Sequence, residues 1–212
     1  DSSNPNIVYS VLPEWLEEME RDFNHPAIVG WCPLNETWDS FGRKQYDEVL
    51  RAVYLATKAA DNTRPCIDTS GNFHVVTDIF DVHDYEQDPA KFAETYKNLC
   101  VDGTFYDRFH ERQKYQVGMP MFVSEYGGIR WTDEESGWGY GEAPKTREEF
   151  IERLKGLTDV LLSNKRMFGY CYTQLTDVEQ EQNGLYTYDR KPKFDPSVIH
   201  DIMAAPAAIE EE

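Results

Sequence analysis

Residues 27–36 read AIVGWCPLNE, a short apolar run that ends in Asn35 and Glu36. A second run of this kind, residues 119–128, reads MPMFVSEYGG and carries Glu125 directly behind its apolar part. Short runs rich in β-branched and aromatic residues, bounded by Gly and Pro, are typical of buried strands. The sequence therefore predicts two buried strands, each with a glutamate at its C-terminal end.

The segments around these two runs alternate between helical and strand patterns. Thr146 is placed to begin a helix as its N-cap, with Glu149 in the capping-box position. Such alternation favours a parallel sheet with helices packed on it. The other predicted elements are helices at 12–23, 44–60 and 196–203 and strands at 66–69, 78–82 and 167–172.

The count of strands sets the fold class. The pattern gives five candidate strands in 212 residues, whereas a closed (β/α)8 barrel has eight strands and usually about 250 residues. We therefore predict an α/β fold that is a partial (β/α)8 TIM barrel, running from about its fourth strand to its eighth. This barrel portion covers residues 1–204, and the Ala- and Glu-rich tail at 205–212 is predicted to be disordered.

The composition excludes several classes of partner. A net charge of −18 repels polyphosphate, so nucleic acid is not expected to bind. The sequence contains no apolar stretch of membrane-spanning length, no C-x-x-C pair and no His-Glu-x-x-His motif. We expect a soluble protein without a membrane span, metal site or cofactor. The compartment is not indicated, and both cytoplasm and periplasm stay open.

Three segments, in this order along the chain, resemble signatures of glycoside hydrolase family 2. They are RDFNHPAIVGW with Asn35-Glu36 (residues 21–36), SEYG (124–127) and NGLYTYDRKPK (183–193). This family includes β-galactosidases, β-glucuronidases and β-mannosidases. The resemblance implies β-sandwich domains and three barrel strands ahead of the part seen here. The expected partners are therefore those N-terminal parts, or another copy that pairs with the open sheet edges.

The resemblance also implies a retaining double displacement at two glutamates. Glu125 would attack the anomeric carbon of a carbohydrate substrate, and Glu36 would protonate the departing oxygen and later deprotonate the incoming water. Retention requires the two carboxyl groups to lie about 5–5.5 Å apart. The alternative for either glutamate alone is a solvated carboxylate in a turn. Some β-galactosidases of the family use Mg²⁺, but no residue in the sequence identifies a magnesium site.

Further residues are candidates for substrate binding. The resemblance implies that the amide of Asn35 binds the sugar 2-hydroxyl group and that Tyr85 donates a hydrogen bond to the nucleophile. His83 is a candidate beside Tyr85, and each residue of this pair has a packing role as its alternative. The aromatic candidates for sugar stacking are Trp38, Trp131, Trp138 and Tyr172.

One segment bears on the identity of the sugar. The β-glucuronidases of the family carry Asn-x-Lys before the glycine of the third segment, where the lysine pairs with the uronate carboxylate. Here these positions are Glu181, Gln182 and Asn183, and a glutamate would repel a uronate. We therefore rank a β-galactoside first, with β-glucuronidase and β-mannosidase specificities as alternatives. A non-catalytic carbohydrate-binding role that needs the other half of the barrel is the remaining alternative.

Overall fold

The computed structural model describes residues 4–39, 42–105, 112–113, 115–132 and 137–211. The chain divides into a first unit, Asp1–Val82 with Asp107–Pro120, and a second unit, His83–Tyr106 with Met121–Glu212. The helices are α1 (Val8–Asp22), α2 (Asp47–Ala60), α3 (Pro89–Tyr96), α4 (Arg147–Leu162) and α5 (Pro196–Met203). The strands are β1 (Phe80–Asp84), β2 (Met121–Gly127) and β3 (Met167–Thr173).

The first unit is built on the packing of α1 against α2. Met19 on α1 and Tyr54 on α2 join Trp31 and Cys66 in one buried cluster. The indole Nε1 of Trp31 donates a hydrogen bond of 2.9 Å to Asp61 Oδ2, so the polar edge of this buried ring has a partner. Trp31 is therefore a core residue, as its place within a predicted strand indicated.

The predicted strand before Glu36 is an interrupted one, and this corrects the sequence prediction. Isolated parallel bridges join Trp31 to Cys66 and Asn35 to Ser70, so this run does pair with the predicted strand at 66–69. Between the two bridges lies Pro33, which has no N–H to donate to the neighbouring chain. The ladder breaks there and resumes two residues later, just before Glu36.

The three strands form a sheet in the order β1, β2, β3, and within the second unit β2 and β3 pair in parallel. Helix α4 connects β2 to β3, and its buried side includes Leu154 and Leu157, both 0% exposed. Burying a leucine side chain contributes about 1.5–3 kcal/mol. The predicted N-cap is confirmed, because Thr146 Oγ1 accepts a hydrogen bond of 3.1 Å from the Glu149 amide. The Glu149 carboxylate, however, accepts from the Lys145 amide (2.6 Å).

A β-bulge in β2 turns Glu125 away from the buried face of the strand. The strand register passes over two residues of β2, Ser124 and Glu125, where it passes over only Cys171 of β3. An extra residue of this kind shifts the side-chain alternation by one position. The residues of β2 on either side of the bulge therefore share one face, with Glu125 on the other. The flanking pairs are Val123 with Tyr170 and Tyr126 with Tyr172.

The remaining predicted elements agree with the structure to within a few residues, apart from the strand predicted at 66–69, where only isolated bridges at Cys66 and Ser70 form. The strand predicted at 78–82 is β1, displaced by two residues, and the helix predicted at 196–203 is α5. In the tail predicted to be disordered, Ala208–Glu210 forms a 3-10 helix. No described helix is long and apolar enough to cross a membrane.

A buried ionic cluster holds the loop that follows the bridged segment at 66–70. The Nδ1 of His74 lies 2.8 Å from Asp68 Oδ1, and its Nε2 lies 3.1 Å from Asp81 Oδ1. The other oxygen of Asp81 accepts hydrogen bonds from Ser70 Oγ (2.9 Å) and the Gly71 amide (3.0 Å). Burial alone would lower the pKa of His74, but the hydrogen bonds to both carboxylates outweigh it and raise this pKa to about 10.

This raised pKa predicts a loss of stability at alkaline pH. The imidazolium of His74 stabilises the folded state fully below the ordinary histidine pKa of about 6.5. This stabilisation declines above that pH and is lost as pH rises through about 10. The quantity to measure is the difference in free energy of unfolding between the complete natural protein and its His74→Gln variant. We expect this difference to fall between pH 6.5 and 10. The fall should be of order 1–5 kcal/mol, and a difference that is constant with pH would contradict the prediction.

Candidate active site

The polar partners of Glu125 within the second unit include Tyr85 and His83. The hydroxyl of Tyr85 donates a hydrogen bond to Glu125 Oε2, and His83 Nδ1 lies 3.4 Å from the same oxygen. The His83 side chain is 3% exposed, whereas that of Glu125 is 25% exposed. The structure thus brings together three of the residues singled out in the sequence and leaves the carboxylate partly exposed.

The electrostatics of this group keep Tyr85 a hydrogen-bond donor. Burial raises the pKa of Tyr85, and the adjacent carboxylate of Glu125 raises it further. A phenol that holds its proton so firmly stabilises an ionised carboxylate by donating to it. Tyr85 therefore favours the charged form of Glu125, which is the form that can act as a nucleophile.

Gln87 was not expected from the sequence, yet it fixes the backbone around Tyr85 and Glu125. Its Nε2 donates to the carbonyl oxygens of Tyr85 (3.0 Å) and Gly127 (2.6 Å). Its Oε1 accepts from Arg153 Nη1 at 3.3 Å. These bonds tie the loop after β1 to the end of β2. A glutamine two residues beyond Tyr85 gives no sequence signal for this role, because its side chain binds backbone carbonyl oxygens, which every residue carries.

Glu36 lies in the first unit in a backbone conformation that is rare for its residue type. Its φ is 47°, in the left-handed region that only glycine adopts freely. The Glu36 amide donates to Ser70 O at 2.9 Å, and its carbonyl accepts from the Trp38 amide at 2.9 Å. Strained residues of this kind persist where the surroundings hold them, and they cluster at functional sites. These contacts fix the backbone from which the Glu36 side chain extends.

The neighbours of Glu36 differ in exposure. Asn35 is exposed and Trp38 is half-buried, so both keep surface for a ligand. Thr37 between them is buried, and its Oγ1 donates to Gln45 Oε1 at 2.7 Å. The buried Thr37 side chain therefore holds the turn in place through Gln45, while Asn35 and Trp38 stay candidates for substrate binding.

Tyr172 has little surface to offer as a stacking platform. It is 7% exposed, and its hydroxyl donates to Asn183 O (3.2 Å) and accepts from the Ile129 amide (3.3 Å). Its ring packs edge-on against Tyr126. The expectation that Tyr172 stacks on a sugar is therefore at odds with its burial, and its observed role is to pack the end of β3. The sequence could not show this, because burial depends on these distant partners.

The two tryptophans of the loop after β2 have different surroundings. The ring of Trp131 packs against Phe150 and Phe194 and is half-buried, which gives it a packing role in addition to any contact with sugar. Trp138 is 45% exposed and touches Tyr140 edge-on. Of the two, Trp138 keeps the larger surface for stacking.

The segment at 181–183 is held by its own hydrogen bonds. Glu181 Oε1 accepts from Asn183 Nδ2 (3.1 Å), and Asn183 Oδ1 accepts from Gln174 Nε2 (2.9 Å). Asn183 is fully buried. The peptide bond between Thr173 and Gln174 is cis. At the position of the expected lysine of β-glucuronidases, the chain thus has a buried neutral amide that serves the local fold.

A sequence profile described as "Glycosyl hydrolases family 2, TIM barrel domain" matches residues 1–203. The chain belongs to glycoside hydrolase family 2. The resemblance seen in the three signature segments is thereby confirmed. For this family 2 chain, the absence of a metal or cofactor stays a prediction.

Known proteins similar to this family 2 chain carry names of uronide-cleaving enzymes. A β-glucuronidase of Sus scrofa is 28% identical over 201 residues, covering 85% of this chain and 29% of that protein. A β-glucuronidase of Bacteroides uniformis has TM-score 0.68 at 19% identity, covering 95% of this chain and 26% of its own. A β-galacturonidase of Eisenbergiella tayi has TM-score 0.70 at 18% identity, covering 95% and 37%. The likeness to the two structures shows the fold alone. The chain spans 29%, 26% and 37% of the lengths of these three proteins, in the order given.

Proposed function

We propose that this chain supplies both catalytic carboxylates of a retaining β-glycosidase. The observation that carries the proposal is the environment of Glu125, a partly exposed carboxylate that accepts a hydrogen bond from Tyr85 beside His83. In the first step, Glu125 attacks the anomeric carbon while Glu36 gives its proton to the departing oxygen. In the second step, Glu36 takes a proton from water, and the water displaces Glu125 from the sugar.

The hydrogen bond from Tyr85 fits both steps. It stabilises the negative charge of Glu125 before attack, which keeps this glutamate ionised while Glu36 carries the proton. When the ester to the sugar forms, the carboxylate loses its charge and the hydrogen bond weakens. The bond strengthens again as the second step restores the charge, and this helps Glu125 to leave.

The remainder of the barrel belongs to the same proposal. We place the chain at strands four to eight of a (β/α)8 barrel, with Glu36 and Glu125 at the C-terminal ends of the fourth and seventh strands. Active sites of such barrels form at that end from several strands. Activity then requires the first three strands and the preceding β-sandwich domains. We therefore expect the isolated chain to be inactive or weakly active.

Two sugars compete as the natural substrate. The names of the similar proteins are of uronide-cleaving enzymes, and these comparisons give no support to the β-galactoside ranking. The residues at 181–183 favour a neutral sugar, because a carboxylate and a buried amide stand where the lysine partner of a uronate is expected. We therefore propose a neutral β-hexoside as the first candidate and a β-glucuronide as the second.

A panel of p-nitrophenyl glycosides tests the proposed function and separates the two sugars. We expect the complete natural protein to cleave β-anomers alone and to release a sugar that keeps the β-configuration, as seen by proton NMR. The kcat/KM for a neutral hexoside should exceed that for the glucuronide by at least about tenfold, since an unpaired carboxylate costs more than 1.4 kcal/mol to bury. Preference for the glucuronide would overturn the neutral-sugar candidate, and inversion of configuration would overturn the retaining mechanism.

A further inference from the structure

A second tyrosine lies against the one that binds Glu125. The rings of Tyr85 and Tyr140 are stacked, with centroids 3.4 Å apart and planes 3° from parallel. The Tyr140 amide donates to Gly128 O at 2.9 Å, next to a parallel bridge between Ile129 and Tyr140. The backbone of Tyr140 is thus fixed to the chain that directly follows the Glu125 strand.

The arrangement of the two rings is imposed by the chain around them. Aromatic pairs left to themselves prefer offset or edge-on geometry over a face-to-face sandwich. Trp138 packs edge-on against Tyr140 at 5.9 Å, on the same loop. The stacked pair therefore depends on how this loop and the end of β2 hold Tyr140 in place.

Gly128 provides the space for both rings. Its φ is +58°, and a Cβ added there would lie 2.4 Å from Tyr140 Cδ2 and 3.1 Å from Tyr85 Cδ1. Contacts this short cannot be accommodated without moving one ring. The two tyrosine rings thus leave room only for glycine at position 128, three residues after Glu125. The pair therefore lies against the end of the strand that carries Glu125.

We propose that Tyr140 is a positioning residue that acts through Tyr85. Its ring fixes the plane of the Tyr85 ring, and this directs the Tyr85 hydroxyl to Glu125 Oε2. The inference rests on the proposed function, since it gives Tyr140 a role only if Glu125 is the nucleophile. The flat face of the Tyr140 ring performs this role, through its contact with the Tyr85 ring.

The test compares single and double variants in the complete natural protein. Tyr140→Leu keeps an apolar side chain of moderate size but removes the flat face, and it should lower kcat by about 10–100-fold with little change in KM. Tyr140→Phe should stay within about threefold of the wild type. In a Tyr85→Phe background, Tyr140→Leu should cause no further loss, because residues acting through one contact are non-additive.

The pH profile of kcat/KM distinguishes the positioning role from general destabilisation, because destabilisation alone would not shift the acidic limb. Loss of a well-placed donor favours the protonated form of Glu125, so the acidic limb should move to higher pH in both Tyr140→Leu and Tyr85→Phe. Phe105→Ala is the matched control, since Phe105 stacks on Tyr96 at 5.6 Å elsewhere in the second unit. We expect the control to leave the acidic limb unmoved.

Three outcomes would overturn the inference, and each is distinct from failure of the proposed function. Wild-type kcat in Tyr140→Leu would remove the positioning role, and so would an equal loss from this change in the wild-type and Tyr85→Phe backgrounds. If Tyr140→Leu does not fold, Tyr140→His keeps a flat ring and should retain kcat within about tenfold; a larger loss in folded protein would count against the role. Activity that survives Glu125→Gln would instead refute the proposed function itself.

Discussion

Glu125→Gln should lower kcat for aryl β-glycosides by at least about 1,000-fold in the complete natural protein. The amide has nearly the shape of the carboxylate but is a far weaker nucleophile, so the covalent glycosyl intermediate cannot form. KM should change little, because glutamine preserves the volume and still accepts a hydrogen bond from Tyr85. Steady-state kinetics on the best substrate of the panel measures this effect.

A matched control separates catalysis from charge and folding. Glu152 is exposed on α4, and Glu152→Gln removes the same charge away from the site. We expect its kcat to equal that of the wild type within error. Near-normal turnover in Glu125→Gln would remove Glu125 from the nucleophile role, however well the variant folds.

Glu36→Ala should show a loss that depends on the leaving group. General acid–base catalysis contributes about 100–10,000-fold, and the full effect is expected for alkyl glycosides, whose leaving oxygen needs a proton. Aryl glycosides with acidic phenols need less help in the first step, so they should form the glycosyl intermediate at a rate closer to that of the wild type. The variant should then accumulate that intermediate, because the second step lacks its base.

Azide distinguishes this role of Glu36 from a structural one. A small anion that needs no deprotonation can occupy the space left by the side chain and attack the intermediate in place of water. We expect azide to restore turnover of aryl glycosides and to yield a β-glycosyl azide, and the basic limb of the pH profile to disappear. Equal losses for alkyl and aryl substrates, without rescue by azide, would contradict the acid/base assignment.

The sequence was sufficient to predict a strand that carries Glu125 near its C-terminal end, because periodicity and bounding Gly and Pro residues are local signals. It could also have shown the interruption before Glu36, since Pro33 visibly lacks the N–H that a continuous ladder requires. The bulge at Ser124 and Glu125 left no such signal. It arises from pairing with β3, which lies more than forty residues away in the sequence, and pairing of that kind is a tertiary property.

The roles of the aromatic residues also depend on tertiary contacts that the sequence does not show. The sequence offers Tyr172 as a candidate for sugar stacking, yet its ring and hydroxyl are occupied within the fold. Tyr140 was not chosen, although the stretch Trp138-Gly139-Tyr140-Gly141 alternates aromatic residues with glycine. Such alternation indicates close packing of rings against backbone, and it is the signal that could have pointed to the partner of Tyr85.

Mechanism-based trapping tests the central assignment most directly. A 2-deoxy-2-fluoro-β-glycosyl fluoride of the preferred sugar forms the glycosyl-enzyme faster than water removes it, and mass spectrometry of a protease digest then locates the attached sugar. We predict one added glycosyl group per active site, on the peptide that contains Glu125 and on that side chain. Attachment to any other residue, or turnover of the reagent with no attachment at all, would contradict the assignment.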